Sequence, residues 1–289
     1  MKKIEINVYS HLSIQDEIEG IRVNRYPVNQ ICSSAPLNVH SYEELVEHIA
    51  KINYYNRQYS LFYRGQRRDY LDPNKLTTLY PSIYRNRLTG NKLKKNFEKL
   101  DYASRELFFI LSLNRDRFEL IGIKNLQRFR ELTWAILQHY QICSTPVLDI
   151  THSLRVAASF SLVEDRENQR QEGILYVMGF PNINDYISYH VSDELVNVKL
   201  LSFCPPAAKR PFYQEGFVAG TFPHYDLMEK QSKFDFKNRL IAKFRLINDN
   251  HNFLGRGLDI IPFNSLYPND HDNFYDILRP LKEDPYIAD

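Results

Sequence analysis

The residue pattern predicts an α+β fold, a helical first half packed on a mixed, mostly antiparallel sheet. Two observations predict it. Apolar residues recur at helical spacing through the first half of the chain, and strand-like runs gather in the second. The two patterns do not alternate as regular strand–helix–strand units would. At 289 residues, with 43% apolar side chains, the chain has enough material for one large core. No Pro- or Gly-rich linker cuts it, so residues 1–289 read as a single domain with an N-terminal extension over 1–40.

In that extension, 4–8 and 21–28 read as short strands. Ser41-Tyr42-Glu43-Glu44 is a capping box, the Ser hydroxyl accepting a free N–H while Glu44 reaches back. Leu45, Ile49 and Ile52 then mark one face of a helix ending near Asn56. Residues 60–64 read as a buried strand stopped by Gly65. Long amphipathic helices are predicted over 92–113 and 125–140, and a third over 153–162 with Ser153 as its cap. Strands follow at 173–180, 196–203 and 239–246, the last alternating as a half-buried strand does. An amphipathic helix over 272–281 closes the chain.

Charge and cysteine usage narrow the function classes. Lys+Arg (37) and Asp+Glu (35) almost cancel, which disfavours a nucleic-acid surface spread over the whole protein and leaves only a local patch open. One such cluster joins Arg85 and Arg87 to Lys92, Lys94 and Lys95; its ordinary reading is a solvated helix face. Cys32, Cys143 and Cys204 are scattered, with neither a disulfide framework nor zinc-ligand spacing, so no metal is expected. The N-terminus lacks an apolar leader, and no run approaches the ~18 apolar residues of a membrane span. The expectation is a cytoplasmic protein without a membrane partner. P-loop, dinucleotide-fingerprint, HExxH and GxSxG motifs are all absent.

Two segments carry candidate chemistry. Arg64 ends a short strand before Gly65, placing a planar fork of donors suited to phosphate or carboxylate where the backbone permits close approach. The bland alternative is a structural salt bridge. Gln138, His139, Asp149, Thr151 and Ser153 lie within sixteen residues among apolar neighbours. A His held by a carboxylate can act as acid or base, and hydroxyls before a helix start can join its free N–H groups on an anion. A buried hydrogen-bond network is the alternative there.

Together these segments carry a resemblance. Phe62-Tyr63-Arg64-Gly65-Gln66, then Leu79 to Arg85 (LYPSIYR), Gln138-His139-Tyr140, Val147 to Thr151 (VLDIT) and Val156 to Phe160 (VAASF) resemble, in that order, the FRG domain, a mainly bacterial family named for its Phe-Arg-Gly motif. The motifs span 60–163, with a weaker echo at Tyr213 to Phe217 (YQEGF). The chain departs from the family pattern where Gln141 replaces a Gly, Pro146 an Arg and Ile150 a Trp, with one extra residue between Tyr140 and Thr145. Losing that Arg puts more weight on Arg64. A more distant likeness is to arginine-type ADP-ribosyltransferases, which have an aromatic-Arg-Gly strand, then a hydroxyl-bearing strand leading into a helix, then a strand-borne Glu. This likeness implies NAD as a substrate, with no permanently bound cofactor, and a protein target.

The expectation is therefore a pocket for a phosphate-bearing nucleotide. Arg64 and Gly65 would take the phosphate or ribose, with Thr151 and Ser153 donating to the same ligand. Asp149 would orient His139 or Arg64, and Glu215 would be the catalytic carboxylate. Two rivals are a non-catalytic sensing or interaction module of bacterial stress or phage defence, and an RNA- or DNA-acting toxin using His139.

Overall fold

A computed structural model describes residues 1–87, 90–120, 122–222, 231–268 and 272–288. In chain order the elements are α1 (His11–Ile18), α2 (Val28–Ser33), β1 (Leu37–Val39), α3 (Tyr42–Tyr55), β2 (Ser60–Gln66), α4 (Gly90–Leu113), α5 (Lys124–Arg128), α6 (Arg130–His139), β3 (Val147–Thr151), α7 (Leu154–Leu162), β4 (Glu172–Phe180), β5 (Ile187–His190), β6 (Leu195–Lys199), α8 (Lys209–Tyr213), β7 (Gly216–Thr221), β8 (Leu240–Ile247), α9 (Phe263–Leu266) and α10 (Asn273–Lys282). The eight strands form one mixed sheet in the order β1-β8-β4-β2-β3-β7-β6-β5. Only β1 and β8 run parallel; the other pairs are antiparallel. The predicted α+β class and mostly antiparallel sheet are what the chain adopts.

The seams of this sheet are unequal. β2 pairs with β4 along its whole length, Ser60 to Gln66, and β3 pairs with β7 along all of its own. Between β2 and β3 a single register pair holds, Tyr63 with Thr151. The sheet therefore parts at its middle, between two well-paired halves.

One apolar core gathers α1–α3 against β1, β2, β4 and β8, with Phe62, Tyr176, Phe180 and Phe244 fully enclosed. A second packs α4, α6 and α10 onto the other half through Leu100, Leu107, Leu137, Tyr140 and Phe274. No described helix is long and apolar enough to cross a membrane.

The Ser41 cap starts α3 where the sequence placed it. Ser41 accepts from the Glu44 N–H at 3.1 Å, and the Glu44 carboxylate reaches back one residue further than expected, to the His40 N–H at 2.8 Å. Asp272 caps α10 by accepting from the Phe274 N–H. Elsewhere the structure corrects the sequence reading. Residues 4–8 and 21–28 form no strands; only an isolated bridge joins Val8 to Tyr26. Ser10 and Ser13 cap each other's main chain and start α1 instead, and α2 begins after Pro27, which fixes the preceding turn. The helix predicted over 125–140 breaks at Phe129, whose backbone is extended (φ −123°, ψ 94°) as its ring turns toward Tyr189. The strand predicted over 196–203 ends at Lys199, giving way to a 3₁₀ turn at Leu200–Ser202. β8 is buried on both faces rather than half-buried, since Lys243 is only 1% exposed.

Candidate functional site

Where β2 and β3 part, a cavity of about 980 Å³ opens, with Arg64 on one wall and Asp149 on the other. The geometry begins with Gly65. A Cβ there would sit 1.8 Å from the Ala157 carbonyl oxygen, so α7 lies flush on β2 only because this residue has no side chain. That corrects the expected role: the backbone that approaches Gly65 is a helix of the same chain. The close packing aligns the start of α7 beside the seam, and Phe160 of that helix lines the cavity.

Asp149 is the hub. Its Oδ2 accepts from Gln138 Nε2 at 2.7 Å and its Oδ1 lies 3.1 Å from His139 Nδ1, both on the last turn of α6. Gln138 is itself fixed by Thr145, whose hydroxyl donates to Oε1 at 2.5 Å. Burial pushes the Asp149 carboxyl up, but the His139 hydrogen bond, with Arg210 and Arg64 close by, overturns this and holds it well below the usual carboxylate range. His139 is enclosed, 1% exposed, and burial followed by the Arg210 charge lowers its pKa. A neutral imidazole beside an ionised carboxylate carries its proton on Nδ1 and donates it there. Its Nε2 approaches the Arg210 main chain without meeting hydrogen-bond geometry.

Three guanidinium groups share the cavity with this carboxylate. Arg64, Arg85 and Arg210 all line the cavity, and the charge of Asp149 acts on each of them. Arg64 Nη1 donates to the Asp149 carbonyl at 2.5 Å, not to its carboxylate, and Nε meets no acceptor. Burial and the neighbouring Arg85 lower the Arg64 pKa to about 10, which still leaves it charged at neutral pH. Arg85 Nε donates to the Tyr80 carbonyl at 3.2 Å. Arg67 and Arg170 add two more cations to the lining.

The remaining expected residues fall differently. Thr151 is 5% exposed and its hydroxyl is committed: it donates to the Gln214 carbonyl at 2.8 Å and accepts from the Ser153 N–H at 3.0 Å. Ser153 occupies the cap position of α7, yet its side chain makes no capping bond and does not line the cavity. Thr151 does that local work through its own hydroxyl. Glu215 sits exposed at a left-handed position (φ 45°) between α8 and β7, and its side chain is not part of the lining, whereas the adjacent Gln214 is. The structure thus unites Arg64, Gly65, His139, Asp149 and Thr151, and leaves Ser153 and Glu215 outside.

Arg210 is the residue the sequence reading missed. It is the second residue of the five-residue α8, beyond the main motif region, with no local pattern to mark it. Arg85 was legible only as part of a basic cluster. Of that cluster, Lys92, Lys94 and Lys95 are solvated on α4, Lys94 lies 3.9 Å from Glu98, and the Arg87 side chain lies outside the described residues. Among the described residues no group of His, Cys, Asp and Glu could hold a metal ion. Cys143 lines the cavity, but burial pushes its thiol up to about 12, far from a reactive thiolate.

Residues 59–170 match the family model of the FRG domain. The matched segment runs from the start of β2 past the end of α7 and so contains Arg64, Gly65, His139, Asp149 and Thr151, but not Arg210. No curated protein and no solved structure matches the chain.

Proposed function

We propose that the cleft between β2 and β3 binds a phosphate-bearing nucleotide, with NAD as the leading ligand. One observation carries this reading. Five arginines, Arg64, Arg67, Arg85, Arg170 and Arg210, line the cavity against two carboxylates, Asp72 and Asp149, and both oxygens of Asp149 are already engaged by Gln138 and His139. The balance is positive, in a partly buried place where charge is poorly screened. A phosphate supplies the missing negative charge and the acceptors that guanidinium forks match. The volume of about 980 Å³ lies at the upper end for small-molecule sites and leaves room for a dinucleotide.

Chemistry on NAD is a separate part of the proposal. It needs a carboxylate near the ribose, and Asp149 is the one beside the arginines; Glu215 would have to swing in from its exposed turn. Nicotinamide released from NAD and lost in Glu215→Gln supports a catalytic Glu215. No release leaves a protein that binds and does not transform.

Binding is tested by calorimetry with NAD and ADP-ribose on wild type and Arg64→Ala. Wild type takes up at least one of the two, and Arg64→Ala loses measurable heat while remaining folded. A folded wild type that gives no heat with either ligand ends the nucleotide reading.

A further inference from the structure

The cavity holds a second buried guanidinium with almost nothing to bind. Arg210 is 5% exposed. Its main-chain N–H donates to Asp272 Oδ2 at 3.2 Å and its Nε donates to the Leu266 carbonyl at 3.1 Å. Both acceptors are heavily used: Leu266 also accepts from Gln214 Nε2 at 2.8 Å, and the Asp272 carboxylate takes the Tyr140 hydroxyl and the Phe274 N–H. Nη1 of Arg210 has no partner, and among the described residues Nη2 of both Arg210 and Arg64 carries no hydrogen bond. A guanidinium has five N–H donors, so one side-chain bond leaves it far from satisfied. The charges of Asp149 and Asp272 both act on it, but neither carboxylate hydrogen-bonds its guanidinium, and a buried ion with unmade hydrogen bonds is costly to keep unless something else completes it.

We infer that Arg210 is the second half of a phosphate clamp with Arg64, one guanidinium from each side of the parted sheet. Arg64 comes from β2 and Arg210 from α8, which leads into β7. Asp149 lies within the field of both, and its own hydrogen bonds run to α6, so it holds the cations in place without neutralising them. The group recognised is a phosphate ester or pyrophosphate, gripped by two planar forks instead of one. The inference rests on the cleft being the ligand site and deepens that reading by naming the group held at its floor.

The test uses inorganic pyrophosphate and ribose 5-phosphate as probes, alone and in competition with NAD, on wild type, Arg210→Lys and Arg210→Met. Wild type binds at least one probe, and that probe displaces NAD. Arg210→Lys keeps the charge but loses the fork, and should weaken that probe at least tenfold. Arg210→Met should melt no lower than wild type without ligand, because the cation it removes is poorly paired. If neither probe binds wild type, or Arg210→Lys binds both probes and NAD as tightly as wild type, the clamp is refuted while NAD binding still stands. If a probe binds through Arg210 and NAD does not, the nucleotide reading falls and the clamp stands. A large loss of melting temperature in Arg210→Met with ligand affinity unchanged in Arg210→Lys would make Arg210 a structural ion.

Discussion

Two buried charge centres flank the strand pair β2–β4, and they are built to opposite specifications. In the first, Lys243 of β8 places all three ammonium protons, on Asp69 Oδ2 at 2.9 Å, Thr77 Oγ1 at 2.8 Å and the Cys32 carbonyl at 3.3 Å. Asp69 also accepts the Tyr176 hydroxyl at 2.8 Å and the Thr77 hydroxyl at 2.9 Å. One cation meets one anion, and none of these side chains lines the cavity. In the second, Arg64, Arg85 and Arg210 line one cavity with Asp149, donors outnumber acceptors, and the whole set faces open space. The same kinds of group are used in both. What separates the two centres is the balance of charges and bonds, the second being also the more exposed.

That contrast can be broken by substitution. The largest effect belongs to the closed centre: Lys243→Ala strands Asp69 and should cost about 3–5 kcal/mol in chemical denaturation, with little change in ligand affinity if the fold survives. A cost below about 1 kcal/mol would mean that water compensates the pair and that the closed centre is not structural. Asp149→Asn should cost less, about 1–3 kcal/mol at neutral pH, because an amide keeps the shape and one acceptor oxygen. Its pH dependence sharpens the point. The Asp149 pKa is depressed in the folded state, so its stabilisation is present above the unfolded carboxylate pKa of about 4 and is lost as pH falls below it. Wild type should therefore lose stability in acid more steeply than Asp149→Asn; parallel curves would show that the carboxylate is not held ionised by its neighbours. The smallest effect on stability is expected for Arg64→Ala, within about 1 kcal/mol, since the side chain gives up one hydrogen bond to a carbonyl. A loss as large as that of Lys243→Ala would turn the open centre into a second scaffold.

Much of the frame was legible because it is encoded locally. The Ser41 cap, the apolar faces of α3 and α10 and the runs of β2, β4 and β8 each announce themselves within a few residues. Short elements did not. α1, α2, β1 and β5 hold eight residues or fewer, too short for a period to emerge, and β7 (GFVAGT) is buried on both faces and rich in small residues. The site was legible in its residues more than in their roles. Arg64, His139 and Asp149 were found because polar types stand out in apolar surroundings. That Thr151 spends its hydroxyl on the turn at Gln214, that Glu215 faces solvent, and that Arg210 arrives from α8 are facts of the tertiary path, which no spacing along the chain records.

The bare Cα of Gly65 also sets how this pocket could be lost without any change to its charged or hydrogen-bonding groups. Any methyl added there would have to lever the first turns of α7 outward, carrying Phe160 with it and reshaping the cleft beside Arg64. Gly65 is thus a spacing constraint between two backbones. The width of the cleft beside Arg64 depends on how closely a helix can approach a strand, a distance fixed where the chain carries no side chain at all.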